Sequence, residues 1–175
     1  MDIRVLRAGL AVLGVAVAVT ACNQQLSSPT APGNTLAGGA RTNWETGDGG
    51  CTPGFWKQPQ RFDSWPSDDL DGLPNVALTP SLGFNAAFEL GANSHWFPDS
   101  FTMLDALNAQ GGGLNAFARH AAAALLNATL EFYPLSWEQV RALIYQTHFT
   151  WDDAAAIEAA KDIFEGLNEG RCPLD

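Results

Sequence analysis

Three histidines, three cysteines and 19 acidic residues set against 9 basic ones are what this 175-residue chain has for chemistry. His95, His120 and His148 stand far apart, with none of the close pair spacings from which zinc motifs are built. If folding brings His120 and His148 to Asp152, two imidazoles and a carboxylate make a metal-assisted hydrolytic site with an open coordination position. The competing reading is an ordinary helix histidine at position 120, flanked by Arg119 and alanines. Ser67-x-Asp69-x-Asp71-Gly72 has the opening rhythm of a calcium loop, with oxygen ligands at alternate positions and then a turning glycine. The twelfth position, which needs a bidentate Glu, is Leu78, and Pro74 interrupts the loop. Asp68, Asp69 and Asp71 therefore read as an acidic surface turn, with a weak calcium site as its rival. The chain has no G-x-S-x-G elbow, P-loop or dinucleotide fingerprint. A thiolate–imidazole pair of Cys51 and His120 conflicts with the oxidising setting argued below. The chemistry favours a binding or structural component over an enzyme, and no cofactor is expected.

The aromatic residues carry the functional expectation. Trp56, Trp65, Trp96, Trp137 and Trp151 all fall after Cys51, a heavy load for one small domain. Trp137 and Trp151 sit at the first turns of helices, where they staple a bundle. Trp56, Trp65 and Trp96 lie in irregular chain, where exposed rings make a platform for a glycan or protein ligand. The alternative for these three is packing into the core.

The N-terminus reads as an address. Arg4 and Arg7 precede an unbroken apolar run from Ala8 to Val19, twelve residues long. A membrane span needs about 20 residues, so the run fits the apolar part of a signal peptide. Val19-Thr20-Ala21-Cys22 resembles the lipobox of bacterial lipoproteins, which implies cleavage after residue 21 and acylation of Cys22. Ordinary secretion is the alternative, since Val-Thr-Ala also passes as a small-residue cleavage site. Lipid chains on both the thiol and the new amine anchor stably where one chain does not. Asn23 rather than Asp after the Cys implies, by the family's sorting habit, the outer membrane of a two-membrane cell. The expected location is thus the cell envelope, extracytoplasmic and lipid-anchored. Residues 22 to 50 hold only Leu26, Leu36 and Trp44 as large apolar groups and read as a flexible tether. A chain of that length reaches roughly 30 Å. Without Arg4, Arg7 and Asp2 the mature chain has 7 basic and 18 acidic residues, a formal charge of −11. That balance excludes nucleic acid as a partner and leaves the membrane contacted through the anchor alone.

Residues 51 to 175 are the length of one domain. Cys51 to Trp65 packs two Trp, two Phe and two Pro into fifteen positions, with Pro53-Gly54 as a turn signal. The stretch after it is rich in Pro, Gly, Asn and Asp as far as Pro98, with one short helix predicted over Asn85 to Leu90. Then helical patterning takes over. Asp99 or Ser100 can cap a helix through Phe101, Leu104 and Leu107, which Gly111-Gly112-Gly113 breaks. Leu114 to Leu130 is apolar almost all round, the pattern of a helix at the centre of a bundle. Ser136-Trp137-Glu138-Gln139 is a capping box before Val140, Leu143 and Ile144. Thr150-Trp151-Asp152-Asp153 repeats the capping pattern with an acidic first turn and opens a last helix whose Ile157, Ala160, Phe164 and Leu167 share a face, ending at Gly170. The expected fold is mostly α: a single small domain of about four helices behind an irregular, aromatic-rich opening. With Cys22 assigned to lipid, Cys51 and Cys172 remain at the two ends of this region, and a disulfide between them is predicted.

C-T-P-G-F-W-K at 51–57, A-R-H-A-A-A-A-L-L-N-A at 118–128 and Y-P-L at 133–135 resemble an uncharacterised module of exported bacterial proteins, which opens C-T-x-G-[FY]-W-K. Members often continue Asn-His after the Lys, where this chain has Gln58-Pro59, so no role on that His carries over. The resemblance implies an exported setting and a domain beginning at Cys51. It implies no particular reaction.

Overall fold

The computed structural model describes residues 49–66, 77–91, 94–150 and 153–174. The signal segment with Cys22, the tether up to residue 48, the acidic loop with Asp68, Asp69 and Asp71, and Trp151-Asp152 lie outside the described residues. Among the described residues the regular structure is helical: α1 (Pro53–Trp56), a 3₁₀ turn (Pro59–Ser64), α2 (Phe84–Ala87), α3 (Met103–Asn108), α4 (Leu114–Asn127), α5 (Trp137–Phe149) and α6 (Ala154–Asn168). One isolated bridge, Gly83 to Thr102, joins two loops.

The mostly α expectation holds, with more pieces than the four helices that periodicity displays. Periodicity needs several turns to register, and α1, α2 and the 3₁₀ turn are too short to show it. Local chemistry starts them instead. Pro53 occupies the first turn of α1, where no N–H is needed, and Thr52 Oγ1 accepts the Phe55 N–H at 3.2 Å. Pro59 opens the 3₁₀ turn in the same way. The opening segment is thus folded rather than irregular, and it buries Phe55 and Trp56.

α4 is the axis of the domain. Eleven of its fourteen residues are buried, most of them alanines and leucines. Alanine is the strongest helix former and lets a neighbouring backbone come close, so α4 can be covered on several sides at once. It packs against α6, α3, α1 and α5. Phe117 reaches Phe164 of α6 with ring centroids 6.1 Å apart, and Val140 and Ile144 of α5 are fully buried.

The caps correct the sequence reading in two places. α3 begins at Thr102, not Asp99 or Ser100: Thr102 and Asp105 form a reciprocal capping box, which holds the Asp105 carboxyl below its ordinary range. Asp99 instead accepts from the Asn85 side chain at 3.0 Å. α6 is capped by Asp153, whose Oδ1 accepts from the N–H groups of Ala155 and Ala156, while Thr150 closes α5 through a bond to the Thr147 carbonyl. The Ser136/Gln139 box of α5 forms as its sequence indicates.

The packed region begins before Cys51. Gly49 and Gly50 are buried, and the Gly50 N–H donates to the Leu167 carbonyl at 3.0 Å. A Cβ on Gly49 or Gly170 would run into the other's backbone, so two chain segments cross there with no room for a side chain. The Cys51–Cys172 disulfide forms beside this crossing, its Cα atoms 4.4 Å apart.

Candidate functional site

The expected tryptophan platform does not exist as an exposed face. Trp56 is fully buried, Trp65 is 4% exposed and Trp96 is 8% exposed. The reason is a polar knot that draws the opening segment inward. Asn127, at the last turn of α4, uses its whole hydrogen-bonding capacity. Its Oδ1 accepts from the Cys51 N–H at 2.8 Å and from Trp56 Nε1 at 2.9 Å. Its Nδ2 donates to the Cys51 carbonyl and to Asn168 Oδ1, both at 2.8 Å. Asn168 also accepts from the Tyr133 hydroxyl and donates to the His120 carbonyl. Burial pushes the Tyr133 phenol far up, so it stays a neutral donor. Trp65 Nε1 donates to the Trp56 carbonyl at 3.2 Å, extending the knot. Trp96 lies edge-on to Phe117 at 5.2 Å and to His148 at 4.8 Å. All three tryptophans are framework.

The histidines of the expected hydrolytic constellation have separate surroundings. His120 is 6% exposed within α4, with Nε2 3.7 Å from Glu165 Oε1 and a buried Nδ1 that has no hydrogen-bond partner. Burial lowers its pKa, outweighing the attraction of Glu165. His148, near the end of α5, stacks on His95 with centroids 4.5 Å apart and planes 26° from parallel. Its Nε2 is 3.4 Å from Ser94 Oγ. Burial and the facing His95 ring both lower its pKa. Asp152 lies outside the described residues. Among the described residues no group of three or more His, Cys, Asp or Glu side chains is placed to hold a metal ion.

The described residues place another aromatic row on α5, one that the sequence reading did not single out. Trp137, Arg141, Tyr145 and Phe149 follow one another at four-residue intervals, so they form a row that winds slowly around the helix. Tyr145 is 51% exposed and Phe149 67% exposed, their rings edge to face at 4.7 Å. Between Trp137 and Tyr145 the Arg141 guanidinium lies 5.3 Å from the Trp137 ring centre and pairs with Glu89. Phe88, Glu89, Trp137, Glu138, Arg141, Ala142 and Tyr145 line a hollow of 330 Å³ here, within the range of small-ligand sites. A second hollow, of 500 Å³, shares Glu89 with the first and is lined by Asn85, Ala86, Gly91 and Asp99 as well. The four-residue spacing was legible in the sequence, but it reads equally as a buried helix face until the packing is known.

No protein-family model, curated protein or solved structure gives a significant match to this chain. Its function rests on its own chemistry.

Proposed function

We propose that this protein is a lipid-anchored cell-envelope binding module, held at the membrane through Cys22 and presenting the α5 row as its ligand face. The observation that carries the reading is the division of the aromatic residues: most of the large rings are packed into the core, while Tyr145 and Phe149 stay exposed on α5 beside a fixed Arg141–Glu89 pair. Two exposed rings in contact with each other make a small apolar patch of the kind that marks interaction sites. The lipobox-like Val19-Thr20-Ala21-Cys22 and the polar residues behind it support the setting. The resemblance of 51–57 to exported modules supports it as well. No observation favours the rival hydrolase, because His120 and His148 have different partners.

The test uses the full chain and cell-wall material stripped of lipid. Wild type sediments with the wall, and the double variant Tyr145→Ala/Phe149→Ala stays in solution. Equal sedimentation of the two would reject the ligand face. In intact cells Cys22→Ser leaves the membrane fraction, and an unchanged distribution would reject the anchor.

A further inference from the structure

Glu89 has a backbone conformation that its side chain does not favour. Its φ is +51°, and it is the one non-glycine among the described residues with positive φ. It follows Phe88, the C-cap of α2, where the left-handed residue is usually Gly or Asn because those suffer least from the Cβ clash. A glutamate at such a position points to a use for the carboxylate. The Glu89 side chain is 49% exposed, pairs with Arg141 and lines both hollows described above.

From this arrangement we propose that the face binds a neutral oligosaccharide, with Glu89 accepting hydroxyl hydrogen bonds between two adjoining sugar subsites. The inference rests on the binding-module reading and names its ligand class. The first subsite offers what a pyranose ring needs. Tyr145, half exposed, and the Trp137 ring, one face of which carries Arg141, line it with aromatic surface for the sugar's C–H face. Arg141, held by Trp137 and Glu89, places a guanidinium beside its hydroxyls. The second subsite offers the exposed Asp99 carboxylate beside Glu89, while Asn85, its amide hydrogens spent on the Phe97 carbonyl and Asp99, is part of the wall. Charge selects among sugars. Glu89 and Glu138 line the first hollow and Glu89 and Asp99 the second, against the one guanidinium of Arg141, so uronate, sulfate and phosphate chains are repelled. A protein partner fits less well, because the core of a protein interface is depleted in charge and the centre of this groove is an ion pair.

Calorimetric titration of the full chain with β-1,4-linked hexasaccharides of glucose, N-acetylglucosamine and mannose tests the proposal, with an oligogalacturonate of equal length as the anionic probe. At least one neutral chain binds, and the galacturonate does not. Tyr145→Ala and Glu89→Gln each weaken the neutral ligand about tenfold or more. Phe132→Ala, at an exposed ring outside the groove lining, leaves it unchanged. Glu89→Gly removes the conformational conflict and retains the helical circular dichroism, yet also loses binding, which separates a ligand role from a folding role. No binding of any neutral hexasaccharide, binding indifferent to Tyr145 and Glu89, or equal binding of the galacturonate overturns the sugar assignment. If no saccharide binds and wall sedimentation still depends on Tyr145, the ligand face stands and its partner is a protein.

Discussion

Asn127 shows how much one polar side chain can decide. It is fully buried at the end of a helix that is otherwise apolar, and all four of its hydrogen-bonding positions are filled. Buried amides are stabilising only when satisfied in this way, because each partner left bare costs its full desolvation. Asn127→Ala would orphan the Cys51 N–H and carbonyl and the Trp56 indole N–H together. The expected loss is about 3–5 kcal/mol, read as a lower midpoint in urea unfolding. Trp56 fluorescence should shift to the red as water reaches the ring. A midpoint within error of wild type would mean that the knot is dispensable.

At the level of elements, α5 differs from its neighbours in serving both the core and the surface. Val140, Ile144 and Thr147 are buried, while Trp137, Arg141, Tyr145 and Phe149 follow another side of the helix. Its C-terminal end is held to the 94–96 loop by the stack of His148 on His95 and by the edge contact with Trp96. Burial opposes a charge on His148, and the facing His95 ring opposes it as well, so the folded pKa of His148 lies below its ordinary value. His120 is lowered by burial in the same direction. A depressed histidine pKa means that the unfolded chain binds more protons. Stability is therefore full above about pH 6.5 and falls as pH drops below it toward the folded value. Unfolding midpoints measured from pH 7.5 to 5 should decline, and His148→Gln should flatten part of the slope while leaving the share due to His120. A wild-type profile that is flat over this interval would contradict the latch.

Considered whole, the molecule is closed at its two ends. The Cys51–Cys172 disulfide spans 121 positions and encloses nearly all of the packed region. Constraining a loop of that length in the unfolded chain contributes about 4–5 kcal/mol in the chain-entropy treatment, a large part of a typical margin of about 5–15 kcal/mol. Cys51→Ser and Cys172→Ser should lower the thermal midpoint by similar amounts, and the double variant little further, since either change opens the same loop. Clearly additive losses would show the two thiols acting separately. The Gly49–Gly170 crossing beside the bond makes a sharper prediction about where the domain starts. A chain beginning at Cys51 lacks the Gly50 N–H bond to Leu167 and should melt below one beginning at Gly49. Equal midpoints would return Gly49 and Gly50 to the tether.

The parts legible in the sequence are those fixed by near neighbours. Ser136 and Gln139 specify their cap across one turn, and the run from Leu114 is apolar on every side, so it has to be enclosed. The Cys51–Cys172 pair was legible from counting cysteines on the expectation that the chain is exported. What the sequence left open is which aromatic residues face water. Trp56 and Trp65 stand among turn-forming residues, the usual mark of an exposed loop, yet Asn127, 71 positions after Trp56, bonds its indole and draws it into the core. Tyr145 and Phe149 carry the four-residue spacing of a buried helix face, yet α4 and α6 cover a different side of α5, the one with Val140 and Ile144. Hydrophobic periodicity tells which residues share a face, but a partner distant in sequence decides whether that face is covered. That decision put Trp56, Trp65 and Trp96 into the framework and left Tyr145 and Phe149 of α5 exposed.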